Sequence, residues 1–238
     1  MSAVTPPPRI LITGANRGLG LEFVRQLSGR GATVLAACRE PARALDLHAL
    51  ADRHPGRVEP LPLDVADAGA IAALGRRLDA EGRALDWLIN NAGVLPSGER
   101  FGAIDADALA TTLRVNTIAP LLLAQALVPV LRRGQAPRVA NISSILGSVA
   151  ACDAFNTPSY RISKCGLNMV TALLAQALGA DGIKVVALHP GWVRTDMGGA
   201  DAEIEAPVSV AGLLAVIDAL DEAVHGAFLD YRGEPVPW

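Results

Sequence analysis

The chain predicts an α/β fold in which a doubly wound, mostly parallel seven-stranded sheet carries helices on both faces. Three observations lead there. Strand-like and helix-like segments alternate from Arg9 onwards, the order that builds parallel sheets from βαβ units. Hydrophobic residues make up 51 % of the sequence and aromatic ones only 4 %, so the core is made of small aliphatic side chains, as suits strands buried on both faces. A glycine-rich turn, Gly14-Ala-Asn-Arg-Gly-Leu-Gly20, joins the first strand to the first helix, where such folds bind phosphates.

The elements follow in order. Prolines at 6 to 8 make a stiff lead-in that cannot pair in a sheet, and Arg9 to Thr13 (RILIT) is a short buried strand. Beyond Gly20 an amphipathic helix has Leu21, Phe23, Val24 and Leu27 as its apolar stripe, and Gly29 and Gly31 bracket its end. Thr33 to Ala37 is the second strand, residues 41 to 53 are helical, and Val58 to Leu63 is the third strand. Asp67 is a good N-cap for a helix running to about Gly82. Asp86 to Asn90 is strand four. A long helix spans about Asp105 to Arg133, with Pro120 as a kink or break. Val139 to Ser143 is strand five, and 145 to 157 is a loop. A helix carrying Tyr160 and Lys164 runs to about Ala180, with Leu167, Val170, Leu174 and Leu178 on one face. Val185 to His189 is strand six, stopped by Pro190-Gly191. Residues 192 to 207 are irregular, 208 to 223 helical, and Ala227 to Asp230 is a last strand.

No composition shift, linker or repeat marks a second unit, so 1–238 reads as a single domain with a flexible lead at 1–8. The net charge is −3 and no basic run stands out, which gives no reason to expect nucleic acid or an anionic membrane as partner. No uninterrupted run of 18 apolar residues suggests a membrane span, and the N-terminus lacks the apolar region of a signal peptide. Cys38, Cys152 and Cys165 are odd in number and lack metal-ligand spacing, so they read as reduced thiols of a cytoplasmic protein with no metal site.

Ligands in this fold bind beyond the carboxyl ends of the strands, and the chemistry-bearing residues fall there. In Gly14-x3-Gly18-x-Gly20, glycines let the backbone approach a pyrophosphate while Asn16, Arg17 and Leu19 complete the turn. No acid precedes Arg39 at the end of strand two, and Glu40 comes one position later. Arg39 and Arg17 offer guanidinium forks suited to a ribose 2′-phosphate, which points to NADP(H) over NAD(H). Asp64-Val65 is placed either to meet an adenine amino group or to cap a turn. Asn91, Ala92 and Gly93 either lie by a ribose or brace the sheet end. Asn116 is a modest helix former in mid-helix, there to open a water site or to face solvent. Ser143 and Ser144 point opposite ways on a strand, so at most one can hold a carbonyl oxygen. In Pro190-Gly191-Trp192-Val193-x-Thr195-Asp196-Met197, the Val193 N–H and the Thr195 hydroxyl could grip a carboxamide and a phosphate, while Trp192 and Met197 pack or line a pocket. His189 closes a strand alone and reads as a core or turn histidine.

The sharpest pattern is Tyr160-x3-Lys164. On a helix these lie on one face, roughly 5–6 Å apart at Cβ. The chain has only two lysines, Lys164 and Lys184, and otherwise uses arginine. A lysine is a compact point charge that can stabilise a phenolate and lower a tyrosine pKa. Bringing a tyrosine from ~10 to about 7 takes roughly 4 kcal/mol of preferential phenolate stabilisation.

The motifs TGANRGLG, LDV, NNAG, VNT, NISS, YRISK and PGWVRT, in this order and at these spacings, resemble the short-chain dehydrogenase/reductase family over almost the whole chain. ITGANRGLG, NISSILGS, YRISK, LHPGWVRTDMGG and the ending YRGEPVPW are similar to its C-factor-like and sniffer-like carbonyl reductases. The resemblance implies a Rossmann-type fold. It implies an NADPH-dependent reduction of a ketone or aldehyde to an alcohol, with Tyr160 as general acid in reduction and general base in oxidation. Lys164 would tune Tyr160 and bind the nicotinamide ribose, Ser144 would bind the substrate oxygen, and Asn116 would hold a relay water. Two departures concern the substrate. The interval from Ser144 to Tyr160 is longer than in the commonest members, so the loop 145–159, with Ile145, Leu146 and Phe155, is expected to line the substrate site. The segment after Thr195 is short where many members have a longer lid, which suggests an open, permissive site, with 192–207 as a second substrate-site loop. A dedicated biosynthetic ketoreductase or alcohol dehydrogenase, and a cofactor-binding signalling protein, are the competing expectations. The helices at 105–133 and 158–180 are where relatives pair, so a homodimer or homotetramer is expected.

Overall fold

The structure is a computed structural model and describes residues 7–238. The expected lead-in therefore falls, up to residue 6, outside the described residues. Seven strands form one sheet in the order β3-β2-β1-β4-β5-β6-β9, with every neighbouring pair parallel. They are β1 (Arg9–Thr13), β2 (Thr33–Cys38), β3 (Val58–Pro62), β4 (Trp87–Asn90), β5 (Arg138–Ile142), β6 (Lys184–His189) and β9 (Phe228–Asp230). Side chains alternate across the sheet. Ile10 and Ile12 join Phe23, Val24 and Leu27 of α1 (Gly18–Gly29) and Leu213 and Ile217 of α7 (Ala206–Asp218) on one face. Leu11 and Leu88 point to the other, against Leu74 and Leu78 of α3 (Ala68–Ala80), Leu123 and Leu127 of α5 (Ala119–Leu131) and Leu174 of α6 (Pro158–Leu178). The strand order reverses between β1 and β4, which opens a crevice at the carboxyl ends of these two strands.

Asp67 caps α3 as expected, its Oδ1 accepting from Gly69 N at 2.7 Å and Ala70 N at 3.1 Å. Several elements differ from expectation. Residues 41 to 53 divide into a 3₁₀ turn, Pro41–Arg43, and α2 (Leu45–Arg53), because Ala44 between them leaves helical dihedrals at ψ 73°. The long helix is interrupted. A π-helical turn, Arg114–Ile118, separates α4 (Ala106–Leu113) from α5, and Pro120, which has no N–H to bond back into the helix, follows it in the first turn of α5. The segment 192–207 is not wholly irregular, since β7 (Val193–Arg194) and β8 (Ile204–Glu205) pair as a small parallel ladder. Helix α7 stops at Asp218, and Asp221 then caps a turn through Ala223 N and Val224 N.

Taken together, Ala106–Leu131 is long and apolar enough to cross a membrane by length and composition. Polar Thr111, Thr112, Arg114 and Asn116 break its run, which is why no continuous apolar stretch shows in the sequence. In the fold its Leu123, Leu127, Val130 and Leu131 are buried in the core.

Candidate active site

A cleft of ≈ 890 Å³ runs along the carboxyl ends of the strands, from Arg39 and Arg43 at one end to Tyr160 and Trp192 at the other. Its floor is the turn after β1. Gly14 and Gly18 take φ of +66° and +53°, the left-handed region that glycine adopts freely, and a Cβ at Gly14 would lie 2.9 Å from Ala92 Cα. The first turn of α1 has no capping side chain and no acid, so its N–H groups are free for an anion. The Thr13 hydroxyl ties β1 to β4 by accepting from Asn91 N and Ala92 N, and Asn91 Nδ2 donates to Thr13 O. This cradle, continuous with a basic end, fits a dinucleotide cofactor.

At the far end Tyr160, Lys164 and Ser144 meet. Proline at the first position of α6 and Glu99, which accepts from Ser159 N and from the Ser159 hydroxyl, fix the start of the helix and so the height of Tyr160. Lys164 is buried, and its Nζ donates to Ile142 O at 2.7 Å, 5.5 Å from the centre of the Tyr160 ring. Ser144 Oγ accepts from Leu146 N at 3.2 Å and faces the phenol. Ser143 is turned away into the core, where its Oγ donates to Asn168 Oδ1 at 2.6 Å. The two serines thus point opposite ways, and the second faces the cleft.

The electrostatics reverse one expectation. Burial pushes the Tyr160 phenol up to about 12, against a smaller opposing pull from its hydrogen bond with Ser144. Burial also pushes Lys164 down to about 8. Desolvation of the phenolate outweighs the lysine because the ammonium is spent on a carbonyl rather than on the phenol. In this state Tyr160 is a protonated phenol, the form a proton donor needs.

Most expected site residues line the cleft: Gly14, Asn16, Arg17, Gly18, Leu19, Arg39, Asp64, Val65, Asn91, Ala92, Gly93, Ser144, Leu146, Tyr160, Lys164, Pro190, Gly191, Trp192, Val193, Thr195 and Met197. Four stand apart from it. Gly20 packs under the turn, where a Cβ would lie 2.1 Å from Gly14 O, so it serves packing rather than contact. Ile145 does not line it, and its N–H donates to His189 Nδ1. Phe155 is 56 % exposed and meets Phe101 edge-on, 5.5 Å between centroids, because its loop folds outward. Asn116 is 1 % exposed, against the solvent-facing alternative. Its amide exchanges hydrogen bonds with the backbone of Val94, both at 2.9 Å, and donates to Ser163 Oγ, whose hydroxyl donates to Tyr160 O. Asp64 Oδ1 accepts from Ala66 N, so it shapes its own turn while lining the cleft. Arg17 reaches Asp196 at 2.9 Å rather than standing free.

Sequence reasoning missed Arg43, Val94, Leu95, Thr111 and Val115, which also line the cleft. Arg39-x3-Arg43 was a visible repeat of charge. Val94 and Leu95 directly follow the NNAG turn, whereas Glu99 as a cap for a helix 60 residues away left no local trace.

A family profile described as short chain dehydrogenase matches residues 8–205. The chain is 45 % identical over 154 residues to the C-signal of Myxococcus xanthus, covering 65 % of this chain and 93 % of that protein. Its structure superposes on the carbonyl reductase Sniffer of D. melanogaster with a TM-score of 0.90 at 34 % identity, covering 97 % of this chain and 99 % of the other. An NADPH-bound carbonyl reductase from chicken fatty liver gives a TM-score of 0.90 at 38 % identity, with 98 % and 100 % covered.

Proposed function

The chain belongs to the short-chain dehydrogenase family of oxidoreductases, and from that premise we propose that it is an NADP(H)-dependent carbonyl reductase. It reduces a ketone or aldehyde to an alcohol, reversibly, with Tyr160 as the proton donor. The observation that carries this reading is the meeting of Ser144, Tyr160 and Lys164 in the same cleft as the glycine-rich turn and the basic pair Arg39 and Arg43.

The cofactor supplies the hydride, and the chain's residues do the rest. Backbone of Gly14 to Leu19 would hold the pyrophosphate, Asp64 and Val65 the adenine, and Asn91 to Gly93 the ribose. Pro190, Gly191, Val193 and Thr195 take the nicotinamide end. The Ser144 hydroxyl donates to the substrate oxygen, and Tyr160 OH delivers its proton to the same atom as charge develops there. Lys164 lies close to Gly93, where a Cβ would be 3.8 Å from Nζ, so its ammonium would be within reach of a ribose held at Asn91 to Gly93. Asn116 joins this group through Ser163 and serves the proton path. A chicken carbonyl reductase of similar structure binds NADPH, and Arg39 with Arg43 at the basic end supports the same choice here. Glu40, the carboxylate nearest the end of β2, is held by Arg43 at 3.1 Å and competes poorly for a ribose hydroxyl.

The substrate end is walled by Val94, Leu95, Val115, Leu146, Trp192 and Met197, all uncharged, which supports a neutral carbonyl substrate and broad acceptance. Ile118, Leu121, Ile162, Met169 and Leu173 are exposed apolar residues on the helices expected to pair, and a second copy of this chain as a homodimer would cover them. We place the protein in the cytoplasm, with Cys38, Cys152 and Cys165 as free thiols.

A panel of aldehydes and ketones, followed by loss of NADPH absorbance, tests the reading. The expected result is turnover of several members, abolished in Tyr160→Phe with cofactor binding intact; no turnover of any, or an active Tyr160→Phe, overturns it. Likeness to the C-signal supports a second reading, in which cofactor binding serves signalling. A Tyr160→Phe protein that keeps its biological effect without turnover would select it.

A further inference from the structure

His189, the last residue of β6, takes no part in the proposed chemistry, yet the turn that carries Ser144 rests on it. Ile145 N–H donates to His189 Nδ1 at 3.2 Å. A backbone N–H can only donate, so Nδ1 is the acceptor and the neutral ring carries its proton on Nε2. The rest of the turn is held by groups that do not titrate. Ser143 N donates to Leu188 O at 2.7 Å, Asn168 bridges Ser143 Oγ and Gly147 O, and Gly147 N donates to Ser144 O at 2.8 Å. Gly147 is pressed so close to α6 that a Cβ would lie 2.6 Å from the Lys164 carbonyl carbon. Of the side chains that fix this turn, His189 is the one that can change charge.

We propose that His189 is a positioning residue: by accepting Ile145 N–H through Nδ1 it sets the turn that aims the Ser144 hydroxyl at Tyr160, and its protonation releases that turn. An imidazolium carries N–H on both nitrogens. Nδ1–H would then oppose Ile145 N–H, donor against donor, and the turn would have to move. Burial holds the ring below the ordinary imidazole range, and the Asp230 carboxylate, in register with it on β9, works the other way. Asp230 Oδ1 is itself engaged by Arg232 N and Glu234 N. On the opposite side, Ser144 to Gly147 bring no charge, and the Lys164 ammonium is turned to Ile142 O. The clamp is therefore closed at neutral pH and opens in acid. This differs from any titration of Tyr160, which stays protonated throughout that range.

The test uses the full chain and amide hydrogen exchange at Ile145, corrected for the intrinsic pH dependence, from about pH 8 to about pH 5. Wild type is expected to lose protection at Ile145 by about tenfold across the acid part of this range. His189→Asn, whose Oδ1 can stand where Nδ1 stood, should keep Ile145 protected throughout, and His189→Leu should leave it unprotected at every pH. Unchanged protection in His189→Leu, or the same acid loss in His189→Asn, overturns the proposal. The kinetic consequence rests on the proposed carbonyl reduction. With NADPH and 9,10-phenanthrenequinone as probe, the acid fall in kcat should vanish in His189→Asn, and kcat rather than the KM for NADPH should fall in His189→Leu. An acid fall that persists in His189→Asn counts against the proposal. A wild type that reduces no carbonyl overturns the proposed reaction instead, and the exchange result then decides the clamp alone.

Discussion

Lys164 aims its ammonium at the Ile142 carbonyl oxygen, 2.7 Å away, and holds it 5.5 Å from the centre of the Tyr160 ring. A buried cation with one neutral partner is costly to the fold. Burial accordingly lowers its pKa to about 8 from 10.5 for the free side chain. The unfolded chain binds the proton more tightly, so stability rises as pH climbs from about 8 to about 10.5. The rise amounts to roughly 3 kcal/mol. Below pH 8 the penalty is fully present. Lys164→Met should abolish this rise. Urea unfolding of both proteins across that range checks it, and parallel stability curves would contradict it.

The basic end of the cleft should set cofactor choice unequally. Arg39 has no ion-pair partner among the described residues, whereas Arg43 also restrains Glu40. Arg39→Ala should raise the KM for NADPH about tenfold or more and leave that for NADH nearly unchanged, as expected for a lost charge-assisted hydrogen bond. Arg43→Ala should weaken NADPH less but improve NADH, because it frees the Glu40 carboxylate for a ribose. Steady-state kinetics with both cofactors separate the two.

Two glycines should report different ends of the site. Gly20→Ala would press a methyl onto Gly14 O, displacing the phosphate-binding turn, and should raise the KM for cofactor most. Gly147→Ala would press on Lys164 and the Ser144 turn, and should lower kcat most. Each is expected to cost about 1–3 kcal/mol of stability by overpacking. Isothermal titration with NADPH beside turnover measurements distinguishes them.

At the opposite end of the sheet, burial pushes the Asp86 carboxyl up, but bonds from the Arg9 guanidinium and from Gln135 N and Arg9 N hold it below its usual value. Its stabilising effect is present above the unfolded carboxylate range and is lost as pH falls through the lowered folded value. Asp86→Asn should cost roughly 2 kcal/mol at neutral pH, the lower part of the range because Arg9 is 40 % exposed. The loss should shrink in acid, as denaturant melts at neutral and low pH would show.

The parts of the fold that rest on local pattern were legible in the sequence. The alternation of strands and helices, the glycine turn and the Asp67 cap each depend on neighbours a few residues apart, so each leaves a local trace. Ser144, Tyr160 and Lys164 were legible through motif order, since no single short pattern distinguishes them from surface residues. What escaped depended on contacts distant in sequence. The outward fold of the loop at Phe155 depends on Phe101, and the height of Tyr160 on Glu99. The direction of the Tyr160 shift depends on desolvation, which only packing reveals. The π turn at Asn116 lay hidden because it adds one residue to a helix whose composition reads as continuous.

That wide turn gives the chain's most apolar rod an address. By spending one extra residue at Arg114–Ile118 the rod gains a fixed index point, with Asn116 latched to Val94 on one side and Ser163 on the other. Removing one residue between 114 and 118 would close this wide turn to even α pitch, leaving the faces beyond it in phase but undoing the seat of Asn116 between Val94 and Ser163. The face that fills the core would stay where it is while the latch is lost, so the extra residue is tied to the site the rod crosses and not to the packing beyond it.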